Sequence, residues 1–136
     1  MKINTIRLLI ATLLSFAFSL LYNGLVHWVI LGPANKQVES LMRVDFPSKL
    51  WVSIPATLAT SFLFTSLYAF FVSGKNIKTG LLYGFGFGLF IAIMVDLNQY
   101  IFYPLPFSLV AEWALFGIME FAFIGLIVGS VVKDKT

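Results

Sequence analysis

Three acids, Asp96, Glu112 and Glu120, lie inside long apolar stretches of this 136-residue chain. Asn23 and His27 occupy another such stretch, and Asn98 and Gln99 stand beside Asp96. A charged side chain at the middle of a bilayer costs roughly 2.5–3.5 kcal/mol on insertion scales, so it persists where it meets a partner, water or a neutralising proton. A carboxylate near an imidazole suits proton exchange or general acid–base work, because burial and neighbouring charge tune both groups. The same residues also have a structural reading. Acid, amide and imidazole groups hydrogen-bond across helices and select which helices meet, within one chain or between subunits.

Other chemistries fit poorly. The chain has no Cys, which excludes disulfides, thiolate metal sites and Cys nucleophiles. Its single His cannot build a His-rich metal site or a bis-His haem site. No Ser stands in a recognisable nucleophile turn. A metal held by His27, Asp96 and Glu112 lacks any ligand-pair spacing. Gly84-Phe85-Gly86-Phe87-Gly88 is rich in glycine, but no Lys-Ser or Lys-Thr follows and no strand precedes it, so it is not a phosphate loop. No cofactor is expected. The net charge of +3 is spread over segment ends and is no nucleic-acid footprint.

The elements that carry these residues follow from composition. Hydrophobic residues make up 60% of the chain and charged residues 11%. Soluble domains average about 45–50% and about 25%. A water-soluble fold of this length would lack the polar surface to cover such a core. Four stretches reach the ~20 apolar residues that a bilayer crossing needs. They are residues 5–31, ending at Gly32-Pro33; 50–73, ending at Gly74-Lys75; 79–102, ending at Tyr103-Pro104; and 107–132, ending at Lys133-Asp134-Lys135. Lys2 and Arg7 resemble the start of a signal peptide. The apolar run continues past Trp28 without a small-residue cleavage site, so it is expected to remain as a span. The expected fold is all-α: one transmembrane domain, an antiparallel four-helix bundle.

Orientation follows the Lys and Arg count. Lys2, Arg7, Lys75, Lys78, Lys133 and Lys135 fall on one side; Lys36, Arg43 and Lys49 fall on the other. The excess places both termini in the cytoplasm. The turns around Gly74 to Lys78 and at Tyr103-Pro104-Leu105-Pro106 are short enough to make their flanking helices antiparallel neighbours. The connection from Gly32 to Lys49 is longer and reads either as a short interfacial helix or as an irregular polar loop.

Packing is expected along small residues, since lipid leaves apolar side chains little reason to associate. Gly80, Gly84, Gly88 and Ala92 recur every four residues, a row continued by Asp96 and Tyr100. Gly117, Gly125 and Gly129 form a related strip on the fourth stretch. The second stretch carries Ser53, Thr57, Thr60, Ser61, Thr65 and Ser66, several on one face, and Pro55 is expected to bend its outer end. With Gly32, Pro104 and Pro106 as the outer boundary, a rise of about 1.5 Å per residue places His27 about 7–8 Å, Asp96 about 12 Å and Glu112 about 9 Å inside. Asn23 lies one turn below His27, and Glu120 lies two turns below Glu112. These residues are therefore expected to form a polar cluster in the outer half.

The Gly80 to Gly88 ridge, Asp96, the Tyr103-Pro104-Leu105-Pro106 hairpin and the Trp113 to Glu120 segment together resemble small four-helix membrane proteins of unknown function that are common in bacteria. The resemblance covers mainly the second half of the chain. It implies a bacterial inner membrane and brings no activity. The chain departs from small multidrug transporters in lacking an acid in its first span, and from thiol-oxidising membrane enzymes in lacking cysteine. The functional expectation is small-molecule or ion transport, or ligand binding, through the outer cluster. Four spans enclose little volume, so a path shared between subunits of a homo-oligomer is natural. The alternatives are a non-catalytic subunit or assembly factor bound to a membrane partner, and a membrane enzyme acting on a lipid-like substrate with His27 and an acid.

Overall fold

Gly32-Pro33, Gly74 and the Pro104–Pro106 pair fall at the ends of the apolar runs, and the long helices begin and end near them. The computed structural model describes residues 4–133, in which all regular structure is helical. Four helices are long and apolar enough to cross a membrane: α1 (Thr5–Ile30), α2 (Phe46–Phe71), α3 (Ile77–Phe102) and α4 (Phe107–Val131). Asn4 caps α1 by accepting from the Arg7 N–H at 3.2 Å. Asn76 and Thr79 exchange side-chain and backbone bonds at the start of α3, satisfying two amides that a helix start leaves open. Gly74, at φ +63°, turns the chain between α2 and α3 in the left-handed region that glycine tolerates.

Three helices depart from a uniform α-helix. In α1 the segment Leu25–Ile30 widens into a π-turn, and in α3 the segment Ala92–Asp96 does the same. Pro55 does not stand inside a regular helix end. It sits where the 3-10 turns of Phe46–Val52 give way to the α-helix Ser53–Phe71, and its missing N–H would otherwise bond four residues back. The first connection is helical rather than irregular, with a short α-turn at Gly32–Asn35 followed by 3-10 turns at Lys36–Leu41. Its Val38 is buried against Leu105, Leu109 and Val110, so the connection folds over the start of α4.

The tightest contact joins α3 to α4. A Cβ built on Gly80 would strike the Gly125 carbonyl and lie 2.7 Å from the Gly129 Cα; one on Gly84 would strike the Phe121 carbonyl; one on Gly88 would lie 2.8 Å from the Ile118 Cα. Residue numbers rise along α3 as they fall along α4. The glycine row of α3 thus packs as expected as far as Gly88, with Ala92 also buried. Two parts of the expectation fail. Gly117 meets nothing within 4 Å, and Ile118 takes its place. At about 100° per residue, Gly129 to Ile118 is about three turns and 20°, whereas Gly117 has swung about 120° away. Beyond Ala92 the π-turn breaks the four-residue row, leaving Asp96 half-buried and Tyr100 exposed.

α1 packs against both α2 and α4. Between α2 and α3 the links are aromatic. Phe64 lies 4.6 Å from Tyr83 and 5.2 Å from Phe87, ring centre to ring centre, and the Tyr83 hydroxyl donates to the Phe64 carbonyl at 3.0 Å.

The contact predicts a sharp split among glycines. Gly84→Ala and Gly125→Ala should each force α3 from α4 and destabilise by about 1–3 kcal/mol, as overpacking does. Gly86→Ala and Gly117→Ala, which meet open space, should be neutral or stabilise by up to about 1 kcal/mol. Thermal unfolding of the four variants in one detergent reads this directly, and equal behaviour would refute the contact.

Candidate functional site

Glu120 is the acid that the fold surrounds with polar partners. It sits half-buried in the middle of α4, where it accepts a hydrogen bond from Asn23 Nδ2 at 2.8 Å. The same amide nitrogen donates to the Ser19 carbonyl one turn earlier, at 2.9 Å. That second bond holds the Asn23 side chain along its own helix, so the amide points at the carboxylate. Beside it, the Tyr22 hydroxyl donates to the Phe116 carbonyl at 2.9 Å, and Phe18 and Phe123 approach to 5.9 Å. Two successive turns of α1, one through Phe18 and the next through Tyr22 and Asn23, therefore grip α4.

α2 follows α1 but makes no comparable contact with α4, and a cavity of about 240 Å³ lies between them. Its walls are polar on the α1 and α2 sides, with Ser19, Asn23, Ser53, Thr57, Thr60 and Ser61. Glu120, Phe121 and Ile124 close it from α4, with Phe64 completing an apolar floor. None of the lining residues is Lys, Arg or His. The carboxylate thus faces hydroxyl groups and one amide, with no cationic side chain in the wall.

Of the α2 hydroxyl stripe, Ser61 and Thr65 are buried, whereas Ser53 and Thr60 line the cavity while remaining exposed. The stripe continues beyond the cavity along the α1–α2 seam. Thr12, Ser15, Thr65 and Ser66 keep buried hydroxyl oxygens without a hydrogen-bond partner among the described residues.

The residues expected to converge are distributed differently. Asn23 and Glu120 are brought together. His27, Asp96 and Glu112 are joined by no side-chain hydrogen bond or ion pair among the described residues. His27 is exposed on the π-turn of α1, where only its backbone carbonyl is engaged, by Asn35 Nδ2 at 3.0 Å. His27 lies inside the π-turn of α1, where the four-residue spacing that relates it to Asn23 is interrupted. Asp96 closes the π-turn of α3 and is half-buried. Glu112 and Gln99 are exposed, and Asn98 bonds back to the Met94 carbonyl at 2.6 Å. No group of three or more His, Asp or Glu side chains able to hold a metal ion occurs among the described residues.

Two participants escape sequence reasoning. Ser19 shares the face of Asn23 at four residues' spacing, a detectable signal. Asn35 is less accessible to such reading: its amide bridges the His27 carbonyl and, through Oδ1, the Trp113 indole N–H at 3.0 Å, tying the first connection to α4. Nothing in a polar loop marks it.

No family model, curated protein or solved structure matches the chain.

The geometry ranks the polar residues. Asn23→Leu removes the amide donor to a half-buried carboxylate and should lower stability by about 1–2 kcal/mol, the range of interhelical hydrogen bonds in model membrane peptides. His27→Ala and Glu112→Gln should stay within about 0.5 kcal/mol, as exposed substitutions do. Unfolding midpoints in detergent compare the three, and the reverse ranking would return the structural weight to the outer residues.

Proposed function

We propose that this protein is a multi-pass membrane protein that binds a small polar ligand in the cavity between α1, α2 and α4, with Glu120 as the central binding group. The observation that carries the reading is the placement of Glu120, fixed by Asn23 at 2.8 Å and opposite the α2 hydroxyls in an open space of about 240 Å³. A carboxylate used only to join helices needs no space beside it. A pocket below the ~300–1,000 Å³ of drug-sized sites suits a small solute.

Membrane residence is supported by the outer surface. Leu21, Phe71 and Phe102 are 77%, 79% and 76% exposed, and large apolar side chains are bare along all four helices. Contiguous apolar surface on that scale marks lipid contact. The pairing of α3 with α4, and of Arg7 Nη1 with the Lys133 carbonyl at 3.3 Å, supports an antiparallel bundle with both ends on one side. The Lys and Arg distribution supports the cytoplasm as that side. Ser53 and Thr57 then lie toward the outside, and the cavity runs from there to Glu120 near mid-membrane.

A second reading, a non-catalytic subunit in which these groups only fix helix pairing, is favoured by the Asn23–Glu120 bond itself. Cavity filling separates the two. Thr60→Leu should preserve basal stability while abolishing the thermal stabilisation that a binding solute gives the purified protein. If no solute in a panel of small amines, acids and polyols raises the melting temperature of the wild-type protein, the binding reading fails and the pairing role stands.

Topology has its own test, helped by the absence of cysteine. In intact cells a membrane-impermeant maleimide should label Ser40→Cys, whereas Lys78→Cys should react only after permeabilisation. The opposite pattern would invert the orientation, and recovery of the protein in the soluble fraction would remove the membrane altogether.

A further inference from the structure

The wall of the cavity constrains what can enter it. It presents one carboxylate, the hydroxyls of Ser19, Thr57, Thr60 and Ser61, and no cationic side chain. A carboxylate accepts at about four positions, and the Asn23 amide takes one of them. An anionic ligand would meet repulsion with no counter-charge in the wall. A neutral polar ligand would use the acid only as a hydrogen-bonding group, its charge taken up by a proton. A cation alone uses the ionised carboxylate as its counter-charge.

The type of cation follows from the remaining surface. Calcium and magnesium ions take six or more oxygens drawn in to about 2.0–2.6 Å, commonly with several carboxylates. Here one carboxylate faces hydroxyls spread over two helices, and the floor is carbon. Phe64 and Phe121 lie with ring centres 5.7 Å apart and belong to an aromatic group that includes Phe87, 5.1 Å from Phe121. Aromatic rings beside a single carboxylate suit a cation that carries its own carbon, because such ions are weakly hydrated and attracted to ring faces. Resting on the ligand-binding reading of the cavity, we propose that its ligand is a small organic ammonium ion, its nitrogen paired with Glu120 and its carbon substituents laid on the Phe64 and Phe121 floor.

Choline and its uncharged carbon isostere, dimethylbutanol, separate charge from shape. Titrated into the purified wild-type protein in nanodiscs and followed by calorimetry, choline should bind at least about tenfold more tightly than the isostere, as loss of an ion pair and a cation–π contact would imply. Glu120→Gln, which keeps a hydrogen-bond acceptor for Asn23, should reduce choline binding to the level of the isostere. Sodium chloride at matched ionic strength should not compete beyond lithium chloride. Equal binding of choline and isostere would overturn the cation assignment while leaving a ligand-binding cavity intact. Specific displacement by sodium would transfer the site to a metal ion and overturn it equally. Absence of choline binding sinks it as well. The comparison of choline with its isostere needs no variant, so it decides the matter even if Glu120→Gln fails to fold.

Discussion

Close approach of α3 and α4 through Gly80, Gly84, Gly125 and Gly129 sets the arrangement of everything else. At these positions backbone meets backbone, and any side chain would occupy a neighbouring carbonyl. Where the surroundings are as apolar as the side chains, this contact gains dispersion and weak C–H···O bonding that bulkier residues would forfeit. It also commits one whole face of each helix. α3 is then occupied by α4 and can reach α2 only with long aromatic side chains. Phe64, Tyr83 and Phe87 fill that distance.

The cavity is a consequence of this inequality. α1 is held to α4 by the Tyr22, Asn23 and Phe18 contacts and to α2 along a seam of small residues, including Ala11, Ser15 and Ser61. α2 therefore lies beside α1 and meets α4 near Glu120 through the Phe64–Phe121 ring contact rather than backbone to backbone. Space remains there, lined by whatever α2 turns inward. Those residues are hydroxylic. A bundle of four equally spaced helices with leucine at these positions would close the gap, so polarity and vacancy occur together at one place.

Much of this could be read from the residues. The four spans are marked by their length and end punctuation, and the α3 ridge by four-residue spacing, because both depend on local periodicity. The α2 hydroxyl face was legible for the same reason. The convergence of His27, Asp96 and Glu112 was not a sound extrapolation. It rested on depth along each helix, which does not fix the direction of a side chain; His27 and Asp96 fall inside the π-turns at Leu25–Ile30 and Ala92–Asp96, and Glu112 is exposed on the unbroken α4. No residue type announces a π-turn. The role of Gly117 failed more simply: a strip every four or eight residues drifts around the helix by about 40° per four-residue step, and three steps take it off the contact.

The seam of hydroxyls between α1 and α2 completes the picture. Thr12, Ser15 and Thr65 are at most 4% exposed, and their hydroxyls lack partners among the described residues. A buried hydroxyl left unpaired costs about 1–3 kcal/mol, and alanine or valine would fill the same volume without that penalty. In a helix pair such hydroxyls can also turn to a carbonyl of their own helix at little cost. They share helix faces with Ser19 and Ser61, which line the cavity. The polar stripe is thus longer than the space that holds Glu120 and extends from it toward the opposite ends of α1 and α2. On the proposed ligand-binding reading, a helix pair that admits a hydrogen-bonding solute has a use for these hydroxyls, which would tie the seam and the cavity to one physical requirement.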